Sequence, residues 1–471
     1  MINRHVARAP PFIQQLILNA IIGFAASPAG QIIGLFLELL RRLQGPHPLA
    51  SPHIVTDEEL DKVTYEDIDM LDAIPREPTH RGYAVIGGSG FVGTYIVRLL
   101  ILRGETNIRI LDLESPRPEI ADHPAVSFIK TDITSLESIR DALTIPFASN
   151  NSPPTVIFHT AAIIRFWERA SYTWAPSYTV NVSGTDNVVE AAKSLPEGTI
   201  LVYTSTSDTA LPCPKFLKLG KDYSTPPWND VVVSDNSPPL NESHCSQGCY
   251  TKSKLLAEQI VLKANGCGGL HTGILRPGQT IIGPNDRMLT SALKMPRVPI
   301  FDKQWSHINV CVWDVAAAHL SLEDALRRNP DDVGGEAFLI TGNGPAWSMQ
   351  SSRHALQHYS SRTLVFDDVS PLLVFILAHI VEAFLFLRYH FLLPFCALFR
   401  SRPSLAPSWM GEYIYLQPTM LEYMRDVVID DSRARKVIGY RPQWQTAQVI
   451  KYVVHEVESG KTTGQHGLQL K

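Results

Sequence analysis

Hydrophobic residues follow three different patterns along this chain. A run without any charged residue extends from Ala9 to Leu37, and a second apolar block extends from Pro371 to Phe399. Between them, short apolar stretches alternate with longer stretches of helical periodicity, which is the pattern of a parallel sheet built from strand–helix–strand units. The predicted elements are strands at Tyr83–Ile86, Ile108–Leu111, Ser127–Ile129, Thr155–His159, Thr199–Thr204 and His271–Leu275, and helices at Val92–Leu102, Val180–Ala192 and Tyr250–Ala264.

The two apolar blocks are predicted to associate with a membrane. As one helix the first run would be about 44 Å long, more than the ~30 Å hydrocarbon core of a bilayer requires. Ser27-Pro28-Ala29-Gly30 interrupts it, so a kinked spanning helix and a pair of helices lying in the interface both stay open. The second block contains His379 and Glu382, which favours the membrane interface, with a core helix of the C-terminal lobe as the competing interpretation.

This pattern divides the chain into four parts. Residues 1–45 form an apolar membrane segment, and residues 46–80 form an acidic, proline-containing linker. Residues 81–276 form a Rossmann-type domain, and residues 277–460 form a substrate lobe that partly returns to the sheet and contains the apolar block 371–399. The predicted fold class is therefore α/β: a doubly wound parallel sheet with a smaller C-terminal substrate lobe and membrane-associating segments.

Composition narrows the function classes. Among 471 residues, 45% are hydrophobic and 19% are charged, so the chain can bury a core and is not disordered. The net charge of −4 argues against a nucleic-acid partner, which requires a basic surface. The six cysteines form no Cys-x-x-Cys pair, and the cluster of His244, Cys245 and Cys249 fits no zinc spacing. We therefore expect reduced thiols and no metal.

Three glycines lie between the first predicted strand and the first helix. Gly87, Gly90 and Gly93 give the spacing Gly-x-x-Gly-x-x-Gly. The first glycine permits a tight turn, the second allows the backbone to approach a pyrophosphate, and the third allows the helix to pack closely on the strand. The helix N-terminus then offers unpaired N–H groups to the anion. The motif, with its flanking strand and helix, predicts a dinucleotide site.

An acidic residue follows at the position that selects the dinucleotide. Asp112 ends the second strand, 19 residues after Gly93, where a carboxylate accepts hydrogen bonds from the adenosine ribose. It would repel the 2′-phosphate of NADP, so NAD is the predicted cofactor, and neither Arg109 nor Arg117 is placed to reverse this. Asp132, at the end of the third strand, is a candidate contact to the adenine amino group.

Tyr250 and Lys254 are the candidate acid–base pair. They stand four positions apart on one face of a predicted helix. A phenol with a pKa of about 10 is a poor base at neutral pH, but a neighbouring ammonium favours the phenolate. Tyr250 could then accept the proton of a substrate alcohol, and Lys254 would also bind the nicotinamide ribose.

Hydroxyl side chains end the strand that precedes this helix. The stretch Leu201–Ser207 ends in Thr204-Ser205-Thr206-Ser207. Such a hydroxyl can orient the substrate oxygen against the tyrosine and stabilise the charge that develops on it.

Taken together, these motifs resemble the extended short-chain dehydrogenase/reductase superfamily, and within it the 3β-hydroxysteroid dehydrogenase family with its sterol-4α-carboxylate 3-dehydrogenase (decarboxylating) branch. The resemblance covers about residues 81–455. The stretches that carry it are Val85–Gly93, Ile110–Leu113, His159–Ala162, Asn181–Thr185, Tyr203–Ser205, Tyr250 with Lys254, Leu275–Gly278, Asn309–Ala316 followed by His319, Gly335–Thr341 and Ile438–Pro442.

The resemblance implies a role for each matching position. The residues expected to bind the dinucleotide are Gly87, Gly90, Phe91, Val92, Gly93 and Asp112, with Ala161 and Ala162 lining the cleft and Pro277 and Gly278 flanking the nicotinamide. Asn181 would brace the active-site helix and belong to a proton-relay path. The family's Thr-Ser-Ser is Thr204-Ser205-Thr206 here, so Thr206 takes the place of the catalytic serine with Ser205 beside it.

The implied activity is NAD-dependent oxidation of the 3β-hydroxyl of a steroid or triterpenoid, most readily a 4α-carboxysterol that then loses carbon dioxide. Three alternatives stay open: a 3β-hydroxysteroid dehydrogenase/Δ5–Δ4 isomerase, a dihydroflavonol-reductase-like carbonyl reductase, and an inactive NAD-binding membrane scaffold. The expected location is the endoplasmic reticulum membrane, with the catalytic body facing the cytosol. The expected partners are the sterol substrate and membrane lipid, and a homodimer is left open.

Overall fold

A computed structural model describes residues 23, 27–42, 54–213, 232–237, 246–295, 297–302, 306–423 and 427–460. Its strands are β1 Gly82–Ile86, β2 Asn107–Asp112, β3 Val126–Lys130, β4 Val156–His159, β5 Ile200–Thr204, β6 Val232–Ser234, β7 His271–Pro277, β8 Thr280–Ile282, β9 Arg297–Ile300, β10 Ser306–His307, β11 Asn309–Cys311, β12 Glu336–Ile340, β13 Trp347–Ser348, β14 Val365–Asp368 and β15 Val428–Asp430.

The α-helices are α1 Pro28–Arg42, α2 Asp57–Asp61, α3 Phe91–Arg103, α4 Pro118–Ala121, α5 Leu136–Thr144, α6 Trp174–Ser177, α7 Gly184–Ala192, α8 Cys249–Ala264, α9 Arg287–Lys294, α10 Val312–Arg328, α11 Pro330–Val333, α12 Met349–Tyr359, α13 Pro371–Leu398, α14 Ser432–Val437 and α15 Thr446–Glu458. A π-helical segment, Tyr178–Ser183, joins α6 to α7, so the predicted helix Val180–Ala192 begins as a π-helix.

Seven strands form one parallel sheet in the order β12-β7-β5-β4-β1-β2-β3. The order reverses between β1 and β4, where Ile86 pairs with His159. In an open α/β sheet, the crevice outside the strand carboxyl ends at this reversal is where ligands bind. All six strands predicted from the pattern lie in this sheet, and β12 is the strand that the stretch Gly335–Thr341 indicated.

Helices cover both faces of the sheet because its strands are apolar on both sides. On one face α3 and α10 pack against β1, β2 and β4, and on the other α5, α7 and α8 pack against β1, β4 and β5. All five residues of β1 and all five of β5 are buried. This is the arrangement expected of a doubly wound sheet, and the predicted fold class is confirmed.

The segment predicted as a linker packs on the body where it is described. Leu60 is fully buried, and Met70 and Ile74 belong to the same hydrophobic cluster as α3 and α10. The acidic side chains of α2 face outward, where Asp57 lies 2.9 Å from His354 on α12. Residues 54–80 therefore form an outer layer of the domain, because apolar residues alternate there with the charged ones.

The apolar block 371–399 forms α13. Within the described part of the chain, Leu373–Leu398 is the helix that is long and apolar enough to cross a membrane, by length and composition. Only 22% of an apolar 18-residue window of that helix is buried, which disfavours the competing interpretation as a core helix. The exposed apolar side chains on and beside α13 are Ile376, Ile380, Phe384, Phe386, Leu387, Phe391, Phe395, Leu398, Phe399 and Trp409.

The first apolar run is described from Ser27 onward. Helix α1 begins at Pro28, at the break that the sequence indicated, and contacts α13. Its Ile32, Leu35 and Phe36 are exposed. Most of the preceding residues of the run, and the pair His244-Cys245, lie outside the described residues.

Candidate active site

The glycine loop joins β1 to α3 at the point where the strand order reverses. Gly87 adopts φ +81° and donates its N–H to the Leu111 carbonyl at 2.8 Å. A Cβ on Gly87 would lie 2.6 Å from the Ala161 nitrogen, and one on Gly93 would overlap the Gly87 carbonyl oxygen. Helix α3 begins at Phe91 without a side-chain cap at Gly90, so its first N–H groups face the crevice.

Asp112 ends β2 directly beside this loop. Its Oδ2 accepts a hydrogen bond from the Ser89 N–H at 3.0 Å, and its Oδ1 accepts one from the Leu113 N–H at 2.7 Å. Burial raises the pKa of the carboxyl above its usual range, and these backbone donors oppose that shift. The carboxylate is thereby fixed at the rim of the crevice.

The two arginines near Asp112 are held elsewhere. Arg109 points to the far end of its strand and donates to the carbonyls of Ala142 at 3.2 Å and Pro146 at 3.3 Å. Arg117 donates to the side chain of Asn285 at 2.9 Å. Neither guanidinium therefore offsets the carboxylate of Asp112, as the sequence argument expected.

The remaining predicted contacts on the adenosine side are less specific. Asp132 is exposed, and its carboxylate accepts from the N–H of Thr134 at 2.9 Å within its own turn. Ala161 and Ala162 follow β4 and are partly buried, and Ala161 lies against Gly87 of the glycine loop. The structure thus places Ala161 beside the loop, whereas it gives the Asp132 carboxylate a local partner.

Tyr250 and Lys254 lie in the first turns of α8. The Lys254 amino group is buried and donates to the Tyr203 hydroxyl at 3.0 Å and to the Thr204 carbonyl at 2.7 Å. It therefore ties the helix to the end of β5. Burial lowers the pKa of Lys254 to about 7, so the ammonium is partly deprotonated at neutral pH.

The pKa of Tyr250 differs from the expectation. We expected Lys254 to lower it, but burial raises it well above its usual value and the Asp208 carboxylate raises it further. Burial is the larger cause and the Asp208 carboxylate the smaller one, while the lysine amino group donates to Tyr203 and Thr204. The lysine's effect on the phenol is therefore outweighed in this structure.

Two neighbouring hydroxyl groups stand at the end of β5. Thr206 Oγ1 donates to Asp208 Oδ2 at 2.9 Å and caps the following turn by accepting from the Asp208 N–H at 3.3 Å. Ser205 is buried, and its Oγ has no hydrogen-bond partner within the described part of the chain. Thr206 thus bonds to the carboxylate whose charge acts on Tyr250, while the Ser205 hydroxyl is buried without a partner among the described residues.

Asn181 supports the helix that carries the tyrosine. In the π-helical segment its Nδ2 donates to Ser253 Oγ on α8 at 2.9 Å, and its Oδ1 accepts from the Ile163 N–H at 2.9 Å. The side chain thus connects the loop after β4 to α8. Pro277 ends β7, and Gly278 donates its N–H to the Ile340 carbonyl at 2.8 Å, which sets the wall of the crevice beside β12.

Sequence reasoning missed three residues around this site. Asp208 and Tyr203 are the neighbours that set the environment of Tyr250 and Lys254. His159 is fully buried next to Lys254, and burial lowers its pKa to about 3. Tyr203 and His159 are the first residues of two stretches that carry the resemblance, and their pairing on adjacent strands could have indicated their role, whereas Asp208 lies in a turn with no pattern.

Asp314 and His319, which belong to the stretches that carry the resemblance, make buried hydrogen bonds to neighbouring elements of the fold. Asp314 is buried and accepts from the N–H groups of Gln443 at 2.8 Å and Trp444 at 3.1 Å, which joins α10 to the chain before α15. His319 bonds to Thr204 Oγ1 at 2.6 Å across the sheet.

The fold and this edge of the sheet define a Rossmann-type protein of the extended short-chain dehydrogenase/reductase kind. MoeE5, solved in complex with UDP-glucuronic acid and NAD, is similar with a TM-score of 0.54 at 18% identity, covering 80% of this chain and 99% of that one. UDP-glucose 4-epimerase from Stenotrophomonas maltophila has a TM-score of 0.55 at 15% identity, covering 81% and 100%. These likenesses establish the fold.

The model of the 3-beta hydroxysteroid dehydrogenase/isomerase family matches residues 84–360, and the chain belongs to this family. A decarboxylating sterol-4-alpha-carboxylate 3-dehydrogenase of Candida albicans is 29% identical over 281 residues, 56% of this chain and 71% of the relative. The 3 beta-hydroxysteroid dehydrogenase type 7 of Rattus norvegicus is 26% identical over 384 residues, 80% and 95%. A vaccinia virus 3 beta-hydroxysteroid dehydrogenase/Delta 5-->4-isomerase is 32% identical, with 56% and 73% covered. The predicted family and enzyme class are confirmed.

Proposed function

We propose that this protein is an NAD-dependent dehydrogenase that oxidises the 3β-hydroxyl of a sterol-like substrate, and that the substrate is a 4α-carboxysterol. One observation supports this above the others. The helix α8, which carries Tyr250, is fixed by Lys254 to the end of β5, at the same edge of the sheet as the glycine loop. A proton acceptor and a dinucleotide cradle thereby face one crevice.

The cradle fits NAD. A side chain at Gly87 or Gly93 would collide with backbone, so the tight path of this loop requires glycine at both positions. The first N–H groups of α3 would bind the phosphate oxygens, and Asp112 would bind the adenosine ribose. Because neither Arg109 nor Arg117 faces Asp112, a 2′-phosphate would meet an uncompensated carboxylate. When bound, NAD supplies the acceptor for the hydride that leaves the carbinol carbon.

Tyr250 would accept the hydroxyl proton of the substrate. Because burial raises its pKa, the phenol needs a positive charge beside it to become the phenolate that accepts a proton. The ammonium of Lys254, four residues further along α8, would supply this charge. Thr206, or Ser205 beside it, would donate to the substrate oxygen and hold it against the phenol.

Decarboxylation requires little further machinery. Oxidation at C3 turns a 4α-carboxysterol into a β-keto acid, whose C–C bond to the carboxylate can break because the new ketone takes up the electron pair as an enolate. Carbon dioxide leaves, and the enolate is reprotonated to the 3-ketone. The protein need only form the ketone and shelter the enolate from water. The name of the Candida albicans relative supports this substrate, whereas the name of the vaccinia virus relative supports the isomerase alternative.

Membrane association accompanies this function. The exposed apolar side of α13 and the exposed residues of α1 suit an interface with lipid, where a sterol substrate partitions. We place the enzyme at the endoplasmic reticulum membrane with its catalytic body in the cytosol.

Mass analysis of products tests the proposal. Detergent-solubilised protein is given a 4α-carboxy-3β-hydroxysterol and the matching plain 3β-hydroxysterol, each with NAD or NADP. We expect a 3-ketone lacking the carboxyl group from the first substrate, with NAD at least about tenfold better than NADP. Preference for the plain steroid with a conjugated 4-en-3-one product would instead identify an isomerase. A preference for NADP would contradict the role of Asp112, and no turnover with intact NAD binding would identify a scaffold.

A further inference from the structure

The segment Glu168–Thr173 lies between the apolar helix α13 and the catalytic helix α8, and we call it the clamp segment. It follows the loop after β4, and its residues alternate between the two helices. Three of them contact the first residue of α8, and two others contact α13. The roles proposed above for Tyr250, Lys254 and the glycine loop do not include these contacts between α8, the clamp segment and α13.

The contacts with α8 converge on Cys249, the residue before Tyr250. The Cys249 N–H donates to the Glu168 carbonyl at 2.6 Å. Its thiol lies 3.6 Å from Thr173 Oγ1 and 4.0 Å from the Ala170 carbonyl oxygen. Cys249 is buried, so these bonds are sheltered from water. The position of the first turn of α8 is therefore set by the clamp segment.

The contacts with α13 are an ion pair and an aromatic stack. Arg169 binds Glu382 with two hydrogen bonds, Nε to Oε1 at 2.6 Å and a terminal nitrogen to Oε2 at 2.7 Å. Tyr172 stacks on Tyr389 with ring centroids 4.3 Å apart and planes inclined by 21°. A bidentate Arg–carboxylate pair fixes orientation as well as distance.

Glu382 is an unusual residue in its helix. It is the acidic residue of α13, whose sequence is otherwise apolar apart from His379, Arg388 and His390. A carboxylate in such a helix is costly beside lipid unless it is paired. Its partner Arg169 belongs to the catalytic body, so the ion pair fixes how α13 lies on that body.

We propose that Arg169, held by Glu382 and assisted by Tyr172, is a positioning residue for Tyr250: the seating of α13 is transmitted through the clamp segment to the first turn of α8. This inference rests on the proposed function, in which the Tyr250 hydroxyl must meet the substrate oxygen. Loss of the pair frees the clamp segment and with it the Glu168 carbonyl that holds Cys249. Displacement of a reacting group by about 1 Å can cost about 100-fold in rate.

Removing either charge of the Arg169–Glu382 pair, and then exchanging the two charges, tests the coupling. We expect Arg169→Ala and Glu382→Gln each to lower kcat by about 10- to 100-fold, with the KM for NAD changed less than about threefold, because the contacts of the clamp segment described above join α8 and α13. The double variant R169E/E382R is expected to recover most of the lost kcat, whereas either reversal alone does not. Glu382→Gln is nearly isosteric and serves if Arg169→Ala does not fold.

The matched control is Arg297→Ala. Arg297 makes the same kind of bidentate pair, with Asp367 at 2.8 and 2.6 Å, but joins β9 to β14 away from α8. Its kcat should stay within about twofold of the wild type. The proposal is overturned if Arg169→Ala behaves like this control, or if the double variant has the wild-type melting temperature but no recovered kcat.

Hydrogen exchange separates this inference from the proposed function. In full-length protein, the amide of Cys249 should exchange at least about tenfold faster in Arg169→Ala than in the wild type, while amides of β5 are unchanged. This readout needs no substrate, so it tests the coupling even if the wild type oxidises no sterol. Unchanged exchange at Cys249 would refute the coupling, whereas absent turnover with faster exchange would refute the proposed function alone.

Discussion

The two halves of the crevice are built by different means. On the glycine-loop side the backbone forms the site: Gly87 and Gly93 have no room for a side chain, and the N–H groups of α3 face the ligand. On the tyrosine side the site depends on side chains of α8 and of the end of β5 with the turn that follows it, which meet around Lys254 and Asp208. The first half can be recognised from spacing alone, because one short stretch determines it. The second half requires the fold.

Removing the Tyr250 hydroxyl should have the largest effect. We expect Tyr250→Phe to lower kcat at least about 1,000-fold, because the substrate proton loses its acceptor, while the Kd for NAD changes less than about threefold. Single-turnover kinetics and NADH fluorescence give the two values. Tyr359→Phe is the control, since that hydroxyl donates to the Leu60 carbonyl far from the sheet edge. Near-normal turnover by Tyr250→Phe would remove the tyrosine side from the reaction.

A side chain at Gly93 should disrupt the glycine-loop side of the crevice. The new Cβ would overlap the Gly87 carbonyl oxygen and lie 2.7 Å from Gly88 Cα, so α3 must move away from the loop. We expect Gly93→Ala to weaken NAD binding at least about 100-fold, measured by calorimetry.

The control for this prediction stands at the other end of the same helix. Gly104 caps α3 with φ +89°, so Gly104→Ala should lower stability by about 1 kcal/mol and leave the Kd for NAD unchanged. Tight binding by Gly93→Ala would show that the loop is not the pyrophosphate cradle.

The same contrast explains how far the sequence could be interpreted. The alternation of short apolar stretches with stretches of helical periodicity predicted the sheet, because each buried strand is a local apolar stretch. The glycine spacing predicted the loop. They did not predict that Lys254 would donate to Tyr203 and Thr204, or that Asp208 would lie near Tyr250. Those contacts join residues of different elements, and only the packing of α8 on β5 brings them together. The buried apolar residues of segment 54–80 were likewise not predicted, because charged residues stand between them in the sequence and only the folded chain packs them on the domain.

The two hydroxyl groups at the end of β5 should differ in importance. We expect Thr206→Ala to lower kcat about 100-fold, since it removes the hydroxyl that would turn from Asp208 to donate to the substrate oxygen. Thr206→Ser should recover activity to within about threefold. Ser205→Ala should cost about tenfold, because its hydroxyl has no partner among the described residues to disturb. A larger loss at Ser205 than at Thr206, measured as kcat under saturating NAD, would exchange the two roles.

Stability, rather than turnover, is the quantity that the buried lysine of the tyrosine side should change. Burial lowers the pKa of Lys254 from 10.5 to about 7, so between these values the unfolded chain binds a proton that the folded protein does not. Folding is therefore penalised below pH 7, and the penalty is relieved as the pH rises above 7. Relative to Lys254→Met, the wild type should gain stability from pH 7 to 9.5, by at most about 1.4 kcal/mol per pH unit. Urea unfolding of both proteins in detergent measures the difference, and staying below pH 10 avoids the tyrosines. Parallel curves would mean that the pKa of Lys254 is not lowered in the folded protein, and that the lysine is not buried as a neutral amine.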